Sequence, residues 1–456
     1  MEISGKKALV LGAGKSGIES AKFLASRGAV VALHDKKDLD DWTDAAKALG
    51  ETRKVGLISG TIPSWLLDQI DLVVISPGVP TNSIPARYVD RKDGEVIGEV
   101  ELAYRFLRGR IVAITGSNGK TTTTTLIGEI LKQSRIEFQV GGNIGTPLLS
   151  LTETSRESGW TIAELSSFQL ETIKDFRPNV AVCLNVTPNH LDRYESFTEY
   201  AAAKHRIFMN HTSDDFAILN ADDDLISSWA QGLRSNVTFF SVEKELEEGL
   251  FVRGDDIVRR TSGKEQILIK REDIFLRGLH NVENVLASLA AGFACGAPIG
   301  SMTEAVRNFR GVEHRIEFVT EIDGVEFYND SKATSVDATL KALEAMSGGR
   351  GKTILIIGGR GKNAPYSPLR DLILSSVGKL VLIGEDAANI ETQLGTYAEC
   401  VHVDSMADAV EAAFSAAVTG DTVLLAPACA SFDMFAGFEE RGRAFKAAVA
   451  GLALGK

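Results

Sequence analysis

Cysteine is scarce: 456 residues hold four, Cys183, Cys295, Cys400 and Cys429, far apart and without a CxxC pair. A disulfide framework or a cysteine zinc site is not expected, and a reducing cytoplasm is the easier setting. No run of about 18 apolar residues occurs, so no membrane-spanning helix is expected. The N-terminus, MEISGKKALVLGAG, has no long apolar region ahead of a small-residue cleavage site. It runs straight into a strand-like segment and is not read as a signal peptide. A basic surplus is missing too. With 61 acidic against 49 basic residues the formal charge is −12, which argues against a broad nucleic-acid-binding face. No repeat of short fixed period is visible. The five threonines from Thr121 to Thr125 are the sole low-complexity run.

What is present is the composition of a soluble globular chain, 44% hydrophobic and 24% charged, neither disordered nor fibrous. At roughly 150 residues per domain, three domains are expected. The first, 1–98, opens with the apolar run Ala8–Leu11, a glycine loop and an amphipathic helix to about Arg27. A second apolar run, Ala29 to Leu33, ends at His34-Asp35; this is a βαβ signature. A further strand, Leu72 to Ile75, ends in Ser76-Pro77-Gly78-Val79. The middle part, 99–311, starts with a helix from Glu99 to Leu107. Strands are expected at Ile111–Ile114, Thr161–Leu165, Val180–Leu184 and Phe216–Leu219. Helical patterns between them suit a parallel sheet covered on both faces. The last part, 312–456, alternates strands at Thr353–Ile357, Leu380–Ile383 and Thr422–Leu425 with helices.

Two loops point to phosphate. Gly12-x-Gly14-x-x-Gly17 follows a strand and opens a helix, with Asp35 near the spacing of a ribose-binding acid. Its physical content is a backbone that can approach a pyrophosphate at a helix N-terminus, so the ligand stays open between dinucleotides and other nucleotide diphosphates. The stronger signal is Gly116-Ser117-Asn118-Gly119-Lys120-Thr121-Thr122, continued by Thr123. Its amides can cradle phosphates, Lys120 can reach the terminal ones, and a threonine hydroxyl can ligate Mg²⁺. Ile114 stands where the strict Walker pattern has a small residue. ATP is the expected ligand. Glu164, at the carboxyl end of its strand, is placed to hold Mg²⁺. Taken singly, His190 reads as a loop hydrogen-bonder and Lys204 as part of a solvated helix face.

Four segments taken together resemble the ATP-dependent Mur ligases of peptidoglycan synthesis. They are GSNGKTT, Ala163-Glu164-Leu165-Ser166-Ser167-Phe168-Gln169-Leu170, Leu279-His280-Asn281-Val282-Glu283-Asn284 and Tyr328-Asn329-Asp330-Ser331-Lys332-Ala333-Thr334. Asn-Asp-Ser-Lys-Ala-Thr and the closing Pro427-Ala428-Cys429-Ala430-Ser431-Phe432-Asp433 are similar to the D-glutamate-adding branch. The resemblance covers essentially the whole chain. It implies an α/β chain of three domains: a Rossmann-like one for a UDP-sugar, a central P-loop ATPase-type parallel sheet, and a Rossmann-like one for the amino acid. It implies ATP, two Mg²⁺ ions, UDP-N-acetylmuramoyl-L-alanine and D-glutamate as ligands, and a cytoplasmic monomer with no nucleic-acid or membrane partner.

The resemblance also implies roles. Lys15, Ser16 and Gly17 would face the diphosphate, and Asp35, Lys36, Ser76 and Gly78 the uridine. Asn143 would lie near the sugar substrate. Thr121 or Thr122 with Glu164 would hold one Mg²⁺, and His190 with a carbamylated Lys204 the other. Asn281 and Asp330 would lie near the adenosine, and Arg315 would reach the γ-phosphate. Lys332 and Thr334 would sit by the reacting centre, with Lys362, Ser431 and Phe438 on the D-glutamate. Lys120, Arg315 and the metal ions would clamp anions that repel one another in an acidic chain. Three rivals remain: a nicotinamide dehydrogenase, a folylpolyglutamate synthase or other Mur ligase, and a non-enzymatic ATP-binding switch.

Overall fold

The computed structural model describes every residue except 53, 85–87, 89–93, 188–192, 277, 348–350, 362–363 and 455–456. Three sheets follow one another along the chain. The first contains β1 (Lys7–Leu11), β2 (Val30–Asp35), β3 (Val55–Ser59), β4 (Leu72–Ile75) and β5 (Glu95–Gly98), all parallel in the order β3-β2-β1-β4-β5. The chain winds outward from β1 to β3, then returns to the other side of β1. The loops after β1, β2 and β4 therefore gather at one crevice.

The second sheet runs β6 (Arg110–Thr115), β7 (Phe138–Gly142), β8 (Trp160–Glu164), β9 (Val180–Cys183), β10 (Phe216–Asn220), β11 (Asn236–Ser241), β12 (Gly249–Arg253), β13 (Asp256–Thr261) and β14 (Lys264–Lys270). Their order is β14-β13-β12-β11-β10-β9-β6-β8-β7. β6, β8 and β9 are near-continuous apolar runs because both faces are covered. The parallel sheet expected from sequence holds through β6 to β12, and β13 and β14 extend it as an antiparallel hairpin. Ser262 and Gly263, both at positive φ, form its two-residue turn.

The third sheet comprises β15 (Glu317–Ile322), β16 (Val325–Asn329), β17 (Thr353–Gly358), β18 (Val377–Ile383), β19 (Glu399–Val403) and β20 (Thr422–Leu425), in the order β15-β16-β20-β17-β18-β19. All pairs are parallel except the β15–β16 hairpin. By packing, the chain divides into two compact units, Met1–Phe309 with the first two sheets and Arg310–Lys456 with the third. Among the described residues no helix is long and apolar enough to cross a membrane.

The expected helix from Glu99 ends at Tyr104. Its first residue is a buried carboxyl that accepts the Leu149 amide at 3.0 Å. Burial pushes Glu99 up from 4.5 to about 7, against the pull of the Leu149 and Leu148 amides. The folded state thus keeps a proton that the unfolded chain releases at lower pH. The stabilisation is complete below about pH 4.5 and is lost as pH rises through about 7, a swing on the order of 3 kcal/mol. Glu99→Gln removes this swing. Between pH 5 and pH 8 the melting temperature of the wild-type chain falls relative to that of the variant; parallel melting curves would reject the assignment.

Candidate functional site

The loops after β1, β2 and β4 line a cavity of about 760 Å³, closed on its other side by residues that follow β7. Lys15, Ser16, Asp35, Lys36, Ser76, Gly78 and Asn143 all line it. Gly17 does not: it is buried beneath the loop, where a side chain would collide with the Gly12 carbonyl. Gly12 has φ +98° and lies against Ser76, whose Oγ donates to the Gly12 carbonyl at 3.3 Å. Asp35 is committed to the loop itself, accepting the amides of Ala13 (2.8 Å) and Lys37 (3.1 Å). Although partial burial alone would raise it, these bonds hold its carboxyl below the usual range. The Lys15 ammonium donates to the Gly145 carbonyl at 2.7 Å. Two sheets thus share one cavity wall.

The second loop, Gly116–Thr123, links β6 to the helix Lys120–Gln133. Threonines are poor helix formers, yet Thr121, Thr123 and Thr124 are buried here. Tertiary packing, not propensity, holds this first turn. Gly119 has φ +81°, and a side chain there would run into Asn284, which also accepts a bond from Thr123 Oγ1 at 3.3 Å. Ser117 Oγ donates to the Thr187 carbonyl (3.1 Å) and meets the Tyr200 hydroxyl (2.9 Å). The Asn118 amide donates to Asn185 Oδ1 at 2.8 Å. Asn281 lies one turn before Asn284 and accepts from its Nδ2 at 3.2 Å.

Lys120 Nζ donates to the Gly116 and Ser117 carbonyls at 2.8 and 3.0 Å. Lys204 Nζ reaches the same Gly116 carbonyl at 2.8 Å. The solvated-face reading of Lys204 is overturned: the residue is only 2% exposed, because its helix, Phe197–His205, presents that side to the loop. Burial, reinforced by the nearby Lys120 charge, lowers its pKa from 10.5 to about 7. Glu164 ends β8 beside the loop. One of its carboxylate oxygens accepts Asn143 Nδ2 at 3.2 Å, while the other, Oε2, is buried with no hydrogen-bond partner. An acceptor stripped of water and left unmatched suits a cation. Among the described residues no group of three His, Cys, Asp or Glu side chains is placed to hold a metal. His190, the fourth expected ligand, lies outside the described residues, as does Lys362.

In the second unit the loops after β16 and β20 converge. Asp330 is pushed up to about 6 by burial, opposed by Arg315, an Ile316 amide bond and Lys332. Lys332 lies 5.9 Å from the Phe438 ring centroid. The Thr334 amide donates to the Lys332 carbonyl at 2.8 Å. Ser431 is buried, and Phe438 starts the closing helix, Phe438–Leu454. Cys429 packs inside, 3.0 Å from the Tyr366 hydroxyl.

Two contributors escaped the sequence reading. One is Asn284, which fills the space that Gly119 leaves. The other is Arg193, which donates to the Pro77 and Val79 carbonyls on the cavity rim (2.7 and 3.4 Å) and to Glu171 (3.2 Å), and lies 4.0 Å from the Phe168 ring centroid. Asn284 stands in the quoted Leu279–Asn284 segment without a role of its own, and nothing local marks Arg193.

Three family models match the chain in order: the Mur ligase MurD-like N-terminal domain over residues 6–98, the Mur ligase middle domain over 114–292, and the Mur ligase glutamate ligase domain over 314–429. The UDP-N-acetylmuramoylalanine–D-glutamate ligase of Solibacter usitatus is 46% identical over 99% of both chains. That of Acidobacterium capsulatum is 47% identical over 98% of this chain and 96% of its own. Among solved structures, the UDP-N-acetylmuramate–alanine ligase of Thermotoga maritima shares the fold at a TM-score of 0.54 and 19% identity, covering 99% of this chain and 100% of its own. A pseudomurein peptide ligase of Methanothermus fervidus does so at 0.53 and 20%, covering 98% and 100%. With its three sheets matched in sequence order and its length matched by ligases of one kind, the chain belongs to the Mur ligase family.

Proposed function

We propose that this enzyme joins D-glutamate to UDP-N-acetylmuramoyl-L-alanine at the expense of ATP. The observation that carries the reading is the end-to-end similarity to ligases of that specificity, and the two phosphate-binding loops supply the matching chemistry. The cavity between the first two sheets takes the UDP-sugar, which presents the diphosphate that its glycine loop suits. Asp35, spent on the loop amides, shapes this site and does not single out a nicotinamide cofactor. The Gly116–Thr123 loop takes ATP.

A carboxylate is a poor acyl donor because oxide leaves badly. The L-alanyl carboxylate therefore takes the γ-phosphoryl group of ATP, ADP departs, and the amine of D-glutamate displaces phosphate from the acyl phosphate. Lys120 and the loop amides stabilise the charge on the transferring group. Thr121 or Thr122 and Glu164 would hold one magnesium ion, and His190 with carbamylated Lys204 a second. When bound, magnesium spreads the negative charge of the phosphates. The orphaned Glu164 oxygen fits that role. Asn143 bonds Glu164 and also lines the cavity, so it ties the sugar site to the phosphoryl site. Thr334, Lys362, Ser431 and Phe438 are assigned to the amino acid. A cytoplasmic setting goes with this reading, and the scarcity of cysteine supports it.

Product mass analysis with ATP, UDP-N-acetylmuramoyl-L-alanine and each glutamate enantiomer tests the reading. The expected result is one amide, one ADP and one phosphate per turnover with D-glutamate. NADH binding without triphosphate consumption would replace this reading by the dehydrogenase.

A further inference from the structure

The second unit buries a cation that the chemistry above leaves unused. Arg441, in the first turn of the helix Phe438–Leu454, is 2% exposed. Its Nε donates to Ser331 Oγ at 3.1 Å and its Nη2 to the Ser331 carbonyl at 2.9 Å. Nη1 and Nη2 both reach the Cys429 carbonyl at 3.2 Å, and Nη1 also lies 3.4 Å from that of Ala430. Every one of these acceptors is neutral, and among the described residues no carboxylate is in ion-pair contact with the guanidinium, although the Asp433 charge acts on it from further off. Burial lowers its pKa only to about 10, so it stays charged at neutral pH.

The acceptors belong to the loops that carry the expected amino-acid ligands. Ser331 precedes Lys332 and Thr334 after β16. Cys429 and Ala430 precede Ser431 after β20. Ala430 exchanges two backbone bonds, 2.9 and 3.0 Å, with Arg360 in the loop after β17 that leads to Lys362. Ser331 Oγ in turn donates to the Phe438 carbonyl at 2.8 Å. Gly359 keeps the path open: a side chain there would collide with the Ala430 carbonyl and come within 3.2 Å of Arg441 Nη1. β16, β20 and β17 are adjacent in the sheet, so one planar, five-donor group fastens the roots of two loops, and the Ala430 backbone carries the tie to the third.

A neutral donor could tie loops together at a smaller desolvation cost; a buried charge with no ion-pair partner in contact gains its use when an anion arrives. We infer that Arg441 is a positioning residue of the amino-acid subsite, holding the loops after β16 and β20 in register and supplying positive charge that a substrate carboxylate matches. The inference rests on the ligase reading, in which the third sheet receives the amino acid.

Steady-state kinetics of Arg441→Gln and Arg441→Lys test it. In Arg441→Gln the KM for D-glutamate should rise about tenfold, with those for ATP and UDP-N-acetylmuramoyl-L-alanine within about twofold of wild type. Arg441→Lys, which keeps the charge and loses the fork, should recover part of that loss. An unchanged KM for D-glutamate in both variants, or an equal rise in all three constants, would overturn the inference. If melting shows that neither variant folds, Ser331→Ala decides. It removes one acceptor and should raise the D-glutamate KM alone by about threefold; no rise overturns the proposal. A wild-type chain that forms no amide strikes the ligase reading and this proposal with it, whereas an active wild type with insensitive variants strikes only this one.

Discussion

Exchange of Lys120 for alanine lowers turnover about a hundred- to a thousandfold, while affinity for the UDP-sugar changes by less than about twofold. The separation follows from geometry. Lys120 Nζ lies on the Gly116 and Ser117 carbonyls, inside the second loop. The cavity assigned to the UDP-sugar is lined by other residues. The loop keeps its shape without the lysine, because Asn284 sits against Gly119, Ser117 is bonded to Thr187 and Tyr200, and Asn118 to Asn185. What is lost is the cation that meets charge developing on the transferring phosphoryl group. A donor of this kind is worth roughly 3 to 4 kcal/mol when the site is preorganised. Titration calorimetry with the UDP-sugar and phosphate release under saturating ATP separate the two effects. Unchanged turnover would remove the ATP loop from its assigned place.

Both loops were legible because their information is local. A strand, a glycine turn and a helix start are contiguous, and the φ angles of Gly12 and Gly119 are the kind that glycine supplies cheaply. The roles of Asn284 and Arg193 were not legible. Thr123 and Asn284 stand 161 positions apart, and no spacing rule predicts that one fills the hollow above a glycine near the other. Burial of Lys204 was hidden for the same reason: its helix, Phe197–His205, shows little amphipathic order, and only the tertiary fold decides which side meets the loop. The β13–β14 hairpin, by contrast, has a local signal. The pair Ser262-Gly263 between Asp256–Thr261 and Lys264–Lys270 is a two-residue turn signal. For Lys204 the family resemblance implies a metal-holding role, where periodicity pointed to solvent.

Lys204→Ala should cost about a hundredfold in turnover, and short carboxylic acids such as formate or acetate should restore about tenfold of it. The argument starts from protonation. At an ordinary lysine pKa of about 10.4 only a few amines in ten thousand are neutral at pH 7. Burial and the Lys120 charge bring Lys204 to about 7, so near neutrality about half of the amines are free to react. A neutral amine attacks carbon dioxide, forms a nitrogen–carbon bond and releases one proton. The product is a carbamate anion in place of a cation. That exchange reverses the local electrostatics: the repulsion between two lysines that share the Gly116 carbonyl becomes an attraction. Alanine leaves a hollow beside Gly116, and a small carboxylate can occupy it and supply the missing anion. The same acids should do nothing for Lys120→Ala, where a cation is absent. Retained turnover in Lys204→Ala, or no rescue in a variant whose melting temperature is intact, would reject the carbamate and leave Lys204 as a buried brace of the loop.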